Sequence, residues 1–281
     1  MIDLDRLIEQ ANEMPPFPAS TVRLAQLVAS PDCNLADVAE LIAYDQALTV
    51  RLLRSANSAA NAGATRVTTA QEAVTRLGTT QVLTLAVAAG ARPHLEAKVP
   101  AYGLDEGALW RHAVAAAVAA ETAPKFCAAT LPAEAFTAAL LHDIGKLVMG
   151  RFLDPDILRF IALAREEDFL SQLDAETLLL GVHHGEIGGL IAQHWQLPAR
   201  VVQGITFHHN PDEGMDVVCD LTWLANHVAK HIEAGLDGEE IEFAVPSEVA
   251  EHLGANARKL EELCTAATSR FAQVSQRYNA V

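Results

Sequence analysis

The sequence predicts an all-α protein, and three observations carry that expectation. Apolar residues make up 51% of the chain but aromatics only 5%. Much of the apolar share is alanine, the strongest helix former, rather than the β-branched and aromatic residues that strands prefer. Apolar positions recur at helical spacing, and caps and breakers punctuate them at intervals that suit short helices.

The elements follow in order. Ile2 to Asn12 forms a first helix, stopped by Pro15, Pro16 and Pro18, which cannot continue it. Ser20 caps a second helix carrying Val22, Leu24, Leu27 and Val28. Asn34 precedes a third, with Leu35, Val38, Ala39 and Ile42 along one stripe. A fourth starts near Asp45 and repeats Leu48, Leu52, Leu53 and Ala56. Thr69-Ala70-Gln71-Glu72 is a capping-box sequence, and Gly78 supplies a stop after Leu77. Val82 to Ala89 is apolar nearly all round, so it reads as a buried helix.

The stretch from Pro93 to Gly103 is the best internal boundary, because two prolines and a glycine interrupt it. Beyond it, Asp105 to Ala123 is an Ala-rich helix carrying His112. Leu131 to Met149 reads as one helix with His142-Asp143 in its C-terminal half. Further helices are expected over Pro155 to Glu166, Leu173 to Val182, Glu186 to Trp195, Pro198 to Phe207 and Asp216 to Ala234. Glu240 to Val245 alone looks extended. A last helix, Asn256 to Tyr278, aligns Leu260, Leu263, Ala267, Phe271 and Val274.

Composition excludes several classes of function. Twenty Lys and Arg against thirty-six Asp and Glu leave a net charge of −16. A broad nucleic-acid surface needs clustered positive charge, and an anionic membrane surface needs the same. No apolar run approaches the ~20 residues of a spanning helix, and Met1 to Arg6 lacks the pattern of a signal peptide. Cys33, Cys127, Cys219 and Cys264 are scattered without a CxxC pair, which suits reduced thiols and a cytoplasmic location.

The chemistry sits in the histidines. Leu141-His142-Asp143-Ile144-Gly145-Lys146 puts an imidazole beside a carboxylate, a donor pair that suits Fe, Mn, Zn or Mg. A His-Asp pair alone is as well explained by hydrogen bonding in a core. Its company is more telling: His112 upstream, His184 in Val182-His183-His184-Gly185-Glu186, and His208-His209 before Asn210-Pro211. Side chains from several helices meeting in a bundle core are a standard way to hold metal. His183 reads as a surface neighbour, and His194, His227, His231 and His252 as solvated.

The order His112, His142-Asp143, His184, His208-His209 resembles the HD superfamily of metal-dependent phosphohydrolases. Within it the chain is similar to HDOD proteins, the HD-related output domains of bacterial signalling. That likeness rests on Met14-Pro15-Pro16-Phe17-Pro18, Ile42-Ala43-Tyr44-Asp45-Gln46-Ala47-Leu48-Thr49, Leu52 to Ala59, Ala73 to Gly78, His184 to Gly188 and Trp195 to Pro198. It covers roughly residues 10 to 235.

The resemblance implies a two-lobed, multi-helical fold, with an N-terminal lobe over residues 1–95 and an HD-like lobe over 100–281. It implies a stand-alone regulatory protein acting through contacts with protein partners, its metal site vestigial or sensing. The alternative is a metal-dependent phosphohydrolase acting on a nucleotide or related phosphate ester. By the same resemblance His112, His142, Asp143, His184, His208 and His209 match metal ligands for Fe, Mn, Zn, Ni or Mg. Asp143 and Lys146 match catalytic positions, the lysine as a phosphate contact.

Two departures stand out. The last HD aspartate is replaced by Asn226, which offers an oxygen but neither charge nor a base. Asp220, six residues earlier, is about 240° away round a helix and is a poor stand-in. Asn210 to Gly214 also lacks the Gly-Tyr-Pro element of cyclic-di-GMP phosphodiesterases. Asn57 and Ser58 suit either a partner contact or helix packing.

Overall fold

The computed structural model describes residues 4–58, 61, 65–152, 172–237 and 243–278. The regular elements among them are helices: α1 (Leu4–Asn12), α2 (Ala19–Ala29), α3 (Leu35–Ala43), α4 (Gln46–Ala56) and α5 (Ala70–Leu95). There follow α6 (Ala108–Thr122), α7 (Glu134–Leu141), α8 (Gly145–Phe152), α9 (Gln172–Leu180) and α10 (His184–His194). The remainder are α11 (Ala199–Thr206), α12 (Pro211–Gly214), α13 (Val217–Asp237), α14 (Ser247–His252) and α15 (Ala257–Tyr278). The all-helical expectation is met. The expected helix over Pro155 to Glu166 lies outside the described residues, as does the first half of Glu240 to Val245. Phe243 to Pro246 carry no regular structure.

Local chemistry sets several helix starts. Asn34 and Asp45 cap α3 and α4 by accepting from the backbone N–H of Asp37 and Leu48. Thr69 and Glu72 form the full capping box of α5. Gly78 has φ +78° and breaks α5 into two helical runs, a left-handed conformation that glycine adopts without a Cβ clash. The helix then runs through Pro93 to Leu95.

Ser20 is not the cap of α2. Pro18 takes that place, and the Ser20 hydroxyl donates to Asp45 at 2.7 Å, tying α2 to the start of α4. Leu35, counted in the apolar stripe of α3, is 40% exposed. Asn57 serves packing. Its amide donates to Leu53 and Val67 and accepts from the Val67 N–H, so it closes the end of α4 onto the chain entering α5.

The core of the C-terminal half is built on α6, where Leu109, Trp110 and nearly every residue from His112 to Ala120 are buried. The alanines leave short side chains on several faces, which allows α13, α7 and α15 to pack closely on α6. α10 and α11 pack on each other, α11 also on α7 and α13, and α10 on α8. α1 packs on α8 and α10, and Phe17 stacks on Trp195 with centroids 5.0 Å apart. Sequence-distant ends are thereby joined around the histidines.

The expected single helix over Leu131 to Met149 is two helices. His142, Asp143 and Ile144 form a turn between α7 and α8. The physical reason is the approach of α10. A Cβ on Gly145 would run into the His184 carbonyl oxygen and lie 2.7 Å from the Gly188 nitrogen. Glycine at the start of α8 lets two backbones touch, and the preceding turn aims His142 and Asp143 inward.

A candidate metal centre

Four of the five histidines are oriented by a hydrogen bond on Nδ1, leaving Nε2 to face the centre. His142 Nδ1 donates to the Ala139 carbonyl at 2.7 Å, closing the free end of α7. His208, just past α11, does the same to Ile205 at 2.7 Å. His112, in α6, donates from Nδ1 to Glu233 Oε2 at 2.8 Å. His184, the first residue of α10, donates to Glu176 Oε2 at 2.7 Å, and its backbone N–H reaches the same oxygen at 2.8 Å. An oxygen on the outer nitrogen both fixes the tautomer and makes the inner nitrogen a better donor to metal.

Position and charge bring these groups together in two sets. His112, His142 and Asp143 present donor atoms within 4.8 Å of one another, and so do His184, His208 and His209. Asp143 stands between the sets. Its Oδ2 is 3.4 Å from His142 Nε2 and 3.7 Å from His112 Nε2. Its Oδ1 is 3.1 Å from His184 Nε2 and 3.9 Å from His208 Nε2. His209 Nε2 lies 2.9 Å from His184 Nε2, two nitrogens that a shared cation would hold together. All six residues matched from the sequence therefore converge.

Two buried atoms argue that the convergence suits a metal. Asp143 Oδ1 and His208 Nε2 have no hydrogen-bond partner among the described residues. Leaving such atoms unpaired in a core is costly, and a cation satisfies both.

The titration properties agree. Burial pushes His142 down, His208 well down and His209 down to about 2, favouring neutral imidazoles with free lone pairs. Burial would raise the Asp143 carboxyl, but the Lys146 ammonium at 2.6 Å, with His142, holds it well below the usual range. His184 goes the other way. Burial and Lys146 lower it, but the Glu176 and Asp143 carboxylates outweigh them and raise it.

Lys146, in the first turn of α8, follows Asp143 by three residues and is only partly exposed, with its ammonium also 5.8 Å from the Tyr102 ring centre. Asn226, on α13, is buried and places Oδ1 3.1 Å from His112 Nε2. It occupies the corner of the site where a carboxylate was expected from the resemblance. Asp220 is elsewhere, paired with His252 at 3.2 Å.

Other histidine expectations need correction. His183 is the N-cap of α10, its Nδ1 accepting from the Gly185 N–H while Glu186 accepts from the His183 N–H. It thus sets the start of the helix that presents His184. His227 is half-buried, stacked on Trp223 at 3.5 Å between centroids, and His231 is half-buried against Phe243. His194 and His252 are exposed as expected.

Glu176 and Glu233 were missed in the sequence. Glu233 had a signal: it falls seven residues after Asn226, two helical turns along the same face. Glu176 had none beyond being an acid in the apolar run Ala175 to Leu180, since the fold alone brings it to His184.

Comparison with known proteins agrees with this geometry. The HDOD domain family model matches residues 14–211. A crystal structure of an HDOD domain protein from Geobacter sulfurreducens superposes with a TM-score of 0.67 at 21% identity, covering 97% of each chain. A candidate phosphohydrolase from Shewanella amazonensis SB2B has a TM-score of 0.61 at 28% identity, covering 92% of this chain and 97% of that one. An uncharacterized protein of Treponema pallidum is 26% identical over 84% of this chain, which spans 46% of that relative's length.

Proposed function

Because this chain belongs to the HDOD family, we propose that it is a bacterial regulatory protein that acts through protein contacts and carries a divalent metal centre as a sensing or vestigial site. The observation that carries the metal reading is Asp143, whose two oxygens face two separate sets of imidazoles. His112, His142 and Asp143 would hold one ion, and His184, His208 and His209 with Asp143 a second. Five imidazoles and one carboxylate suit Fe, Zn or Ni better than Mn or Mg, which prefer oxygen.

The regulatory reading draws on what the site lacks. Asn226 carries no charge and accepts no proton, so the corner beside His112 offers no base. The Lys146 ammonium is engaged with Asp143 Oδ2 at 2.6 Å. Among the described residues no helix is long and apolar enough to cross a membrane.

A second reading, hydrolysis of a nucleotide or related phosphate ester, is favoured by the complete set of six matched residues with Lys146 at its edge. It is also favoured by the likeness to the Shewanella protein. A bound divalent ion would supply Lewis-acid polarisation of a phosphoryl group. The chain's part would be to orient the imidazoles through Glu176, Glu233 and the α7 and α11 carbonyls, and to meet phosphate charge with Lys146.

Metal analysis of purified protein, followed by assay on nucleotides and cyclic dinucleotides, separates the readings. Near-stoichiometric metal without turnover supports the regulatory centre. Turnover lost in both His142→Ala and Asp143→Ala establishes the enzyme. Protein that neither contains nor takes up metal removes the basis of both.

A further inference from the structure

Separate from the histidine centre, a cavity of about 690 Å³ opens between the end of α5 and the helices α6, α13 and α15. That volume is within the ~300–1,000 Å³ typical of small-molecule sites. Its floor includes Trp110 and Phe271, two aromatic side chains only 7% and 4% exposed. Its polar groups differ in availability. Arg92 is engaged by Glu96 at 2.7 Å. The Arg111 side chain is 54% exposed and its guanidinium makes no hydrogen bond among the described residues, its Nε being 3.9 Å from Glu233 Oε1. His231 adds a buried Nδ1 with no partner among the described residues. Glu106 stands exposed at the rim, so a single negative charge fits better than two.

We propose that this cavity binds a planar organic monoanion, its flat apolar body against Trp110 and Phe271 and its carboxylate, sulfonate or phosphodiester held by Arg111. An aromatic floor supplies contact area, and a guanidinium with free donors matches an oxyanion in two-point geometry. The pocket is also wired to the histidine centre. The other oxygen of Glu233 holds His112, and Arg111 and His112 are neighbours in α6. Drawing Arg111 onto a ligand strengthens the claim of His112 on Glu233, so occupancy alters how His112 presents Nε2. This coupling rests on the metal reading above; the pocket itself does not.

The test uses metal-free full-length protein and anilinonaphthalene sulfonate, with uncharged N-phenylnaphthylamine as control. The expected result is one saturable site, with the neutral dye binding at least about tenfold more weakly, as loss of a charge-assisted contact implies. Arg111→Gln is expected to lower sulfonate affinity by about tenfold without affecting the neutral dye. Ala272→Trp, at the exposed side of the lining, is expected to block both dyes, with circular dichroism confirming that each variant folds. Equal binding of the two dyes, or sulfonate binding indifferent to both substitutions, overturns the pocket.

A cobalt(II) titration with and without saturating sulfonate then reads the coupling, expected as a severalfold change in cobalt affinity that disappears in Arg111→Gln. Unchanged affinity overturns the coupling. Failure of cobalt to bind at all would sink the metal centre and the coupling with it, while the dye comparison still decides the pocket.

Discussion

Replacing Asn226 by aspartate should strengthen metal binding and weaken the metal-free fold at the same time. The Asn226 Oδ1 lies 3.1 Å from His112 Nε2, and Asp143 Oδ2 lies 3.7 Å from the same nitrogen. A carboxylate at position 226 would therefore sit within about 7 Å of the Asp143 carboxylate, and at an effective dielectric of ~20 two such charges repel by about 2–3 kcal/mol. Partial proton uptake by the neighbouring imidazoles relieves some of this, leaving an expected loss of about 1–2 kcal/mol in the metal-free protein. For a chain of this size that corresponds to a fall of roughly 2–8 °C in Tm.

A divalent ion reverses the sign, because it is drawn to the charge that the free protein resists. After the desolvation of the new carboxylate, a gain of about 1.4–2.8 kcal/mol remains, or ~10–100-fold in affinity. Competition titration with a chromogenic chelator measures the affinity, and thermal unfolding with and without metal measures both stabilities. An Asn226→Asp variant with unchanged or weaker metal affinity would refute the placement of this side chain in the cation cage. So would a metal-free Tm that does not fall.

Three further outcomes follow from the same geometry. Gly145→Ala should destabilise by about 3 kcal/mol or more, since its Cβ meets backbone that cannot rotate away. Denaturant unfolding checks it, and a change below about 1 kcal/mol would mean that α8 and α10 are not in backbone contact. Glu176→Ala should be worse than Glu176→Gln: alanine strands two buried donors of His184, at about 2–4 kcal/mol together, whereas the amide oxygen of glutamine still accepts. Metal affinity should fall ~10-fold or more in both, and equal stability of the two variants would contradict the two-donor arrangement. Finally, the hydrogen bond to Asp220 raises the pKa of His252, so the pair stabilises the fold fully below the unfolded histidine value of about 6.5. That contribution is lost as pH rises through the raised folded value. The Tm gap between wild type and His252→Gln should therefore be widest in mild acid and close in alkali; a gap that widens with pH would give the pair the wrong sign.

Fold class and several helix starts were legible because they depend on short-range chemistry, and the six converging side chains because their order resembles that of a known family. Asn34, Asp45 and Thr69 cap the helices that follow them whatever lies beyond. Where sequence reading went astray, a distant partner had intervened. Ser20 is drawn from a capping role to Asp45, twenty-five residues away. The apolar pattern from Leu131 to Met149 runs unbroken through Asp143, and nothing local reveals that α10 presses its backbone against Gly145 there.

The sequence alone determined which atoms are available for chemistry: five imidazoles, one carboxylate, one lysine, and an amide where a second carboxylate was expected. Only the tertiary structure decided how they act together. It turned the Nε2 of four histidines inward by giving Nδ1 an oxygen partner, two of them the unforeseen Glu176 and Glu233. It set the two Asp143 oxygens between two groups of histidines. Composition is a local property of the chain, but the direction of the His112 lone pair depends on a hydrogen bond to Glu233, 121 residues away, which exists only once the helices have packed.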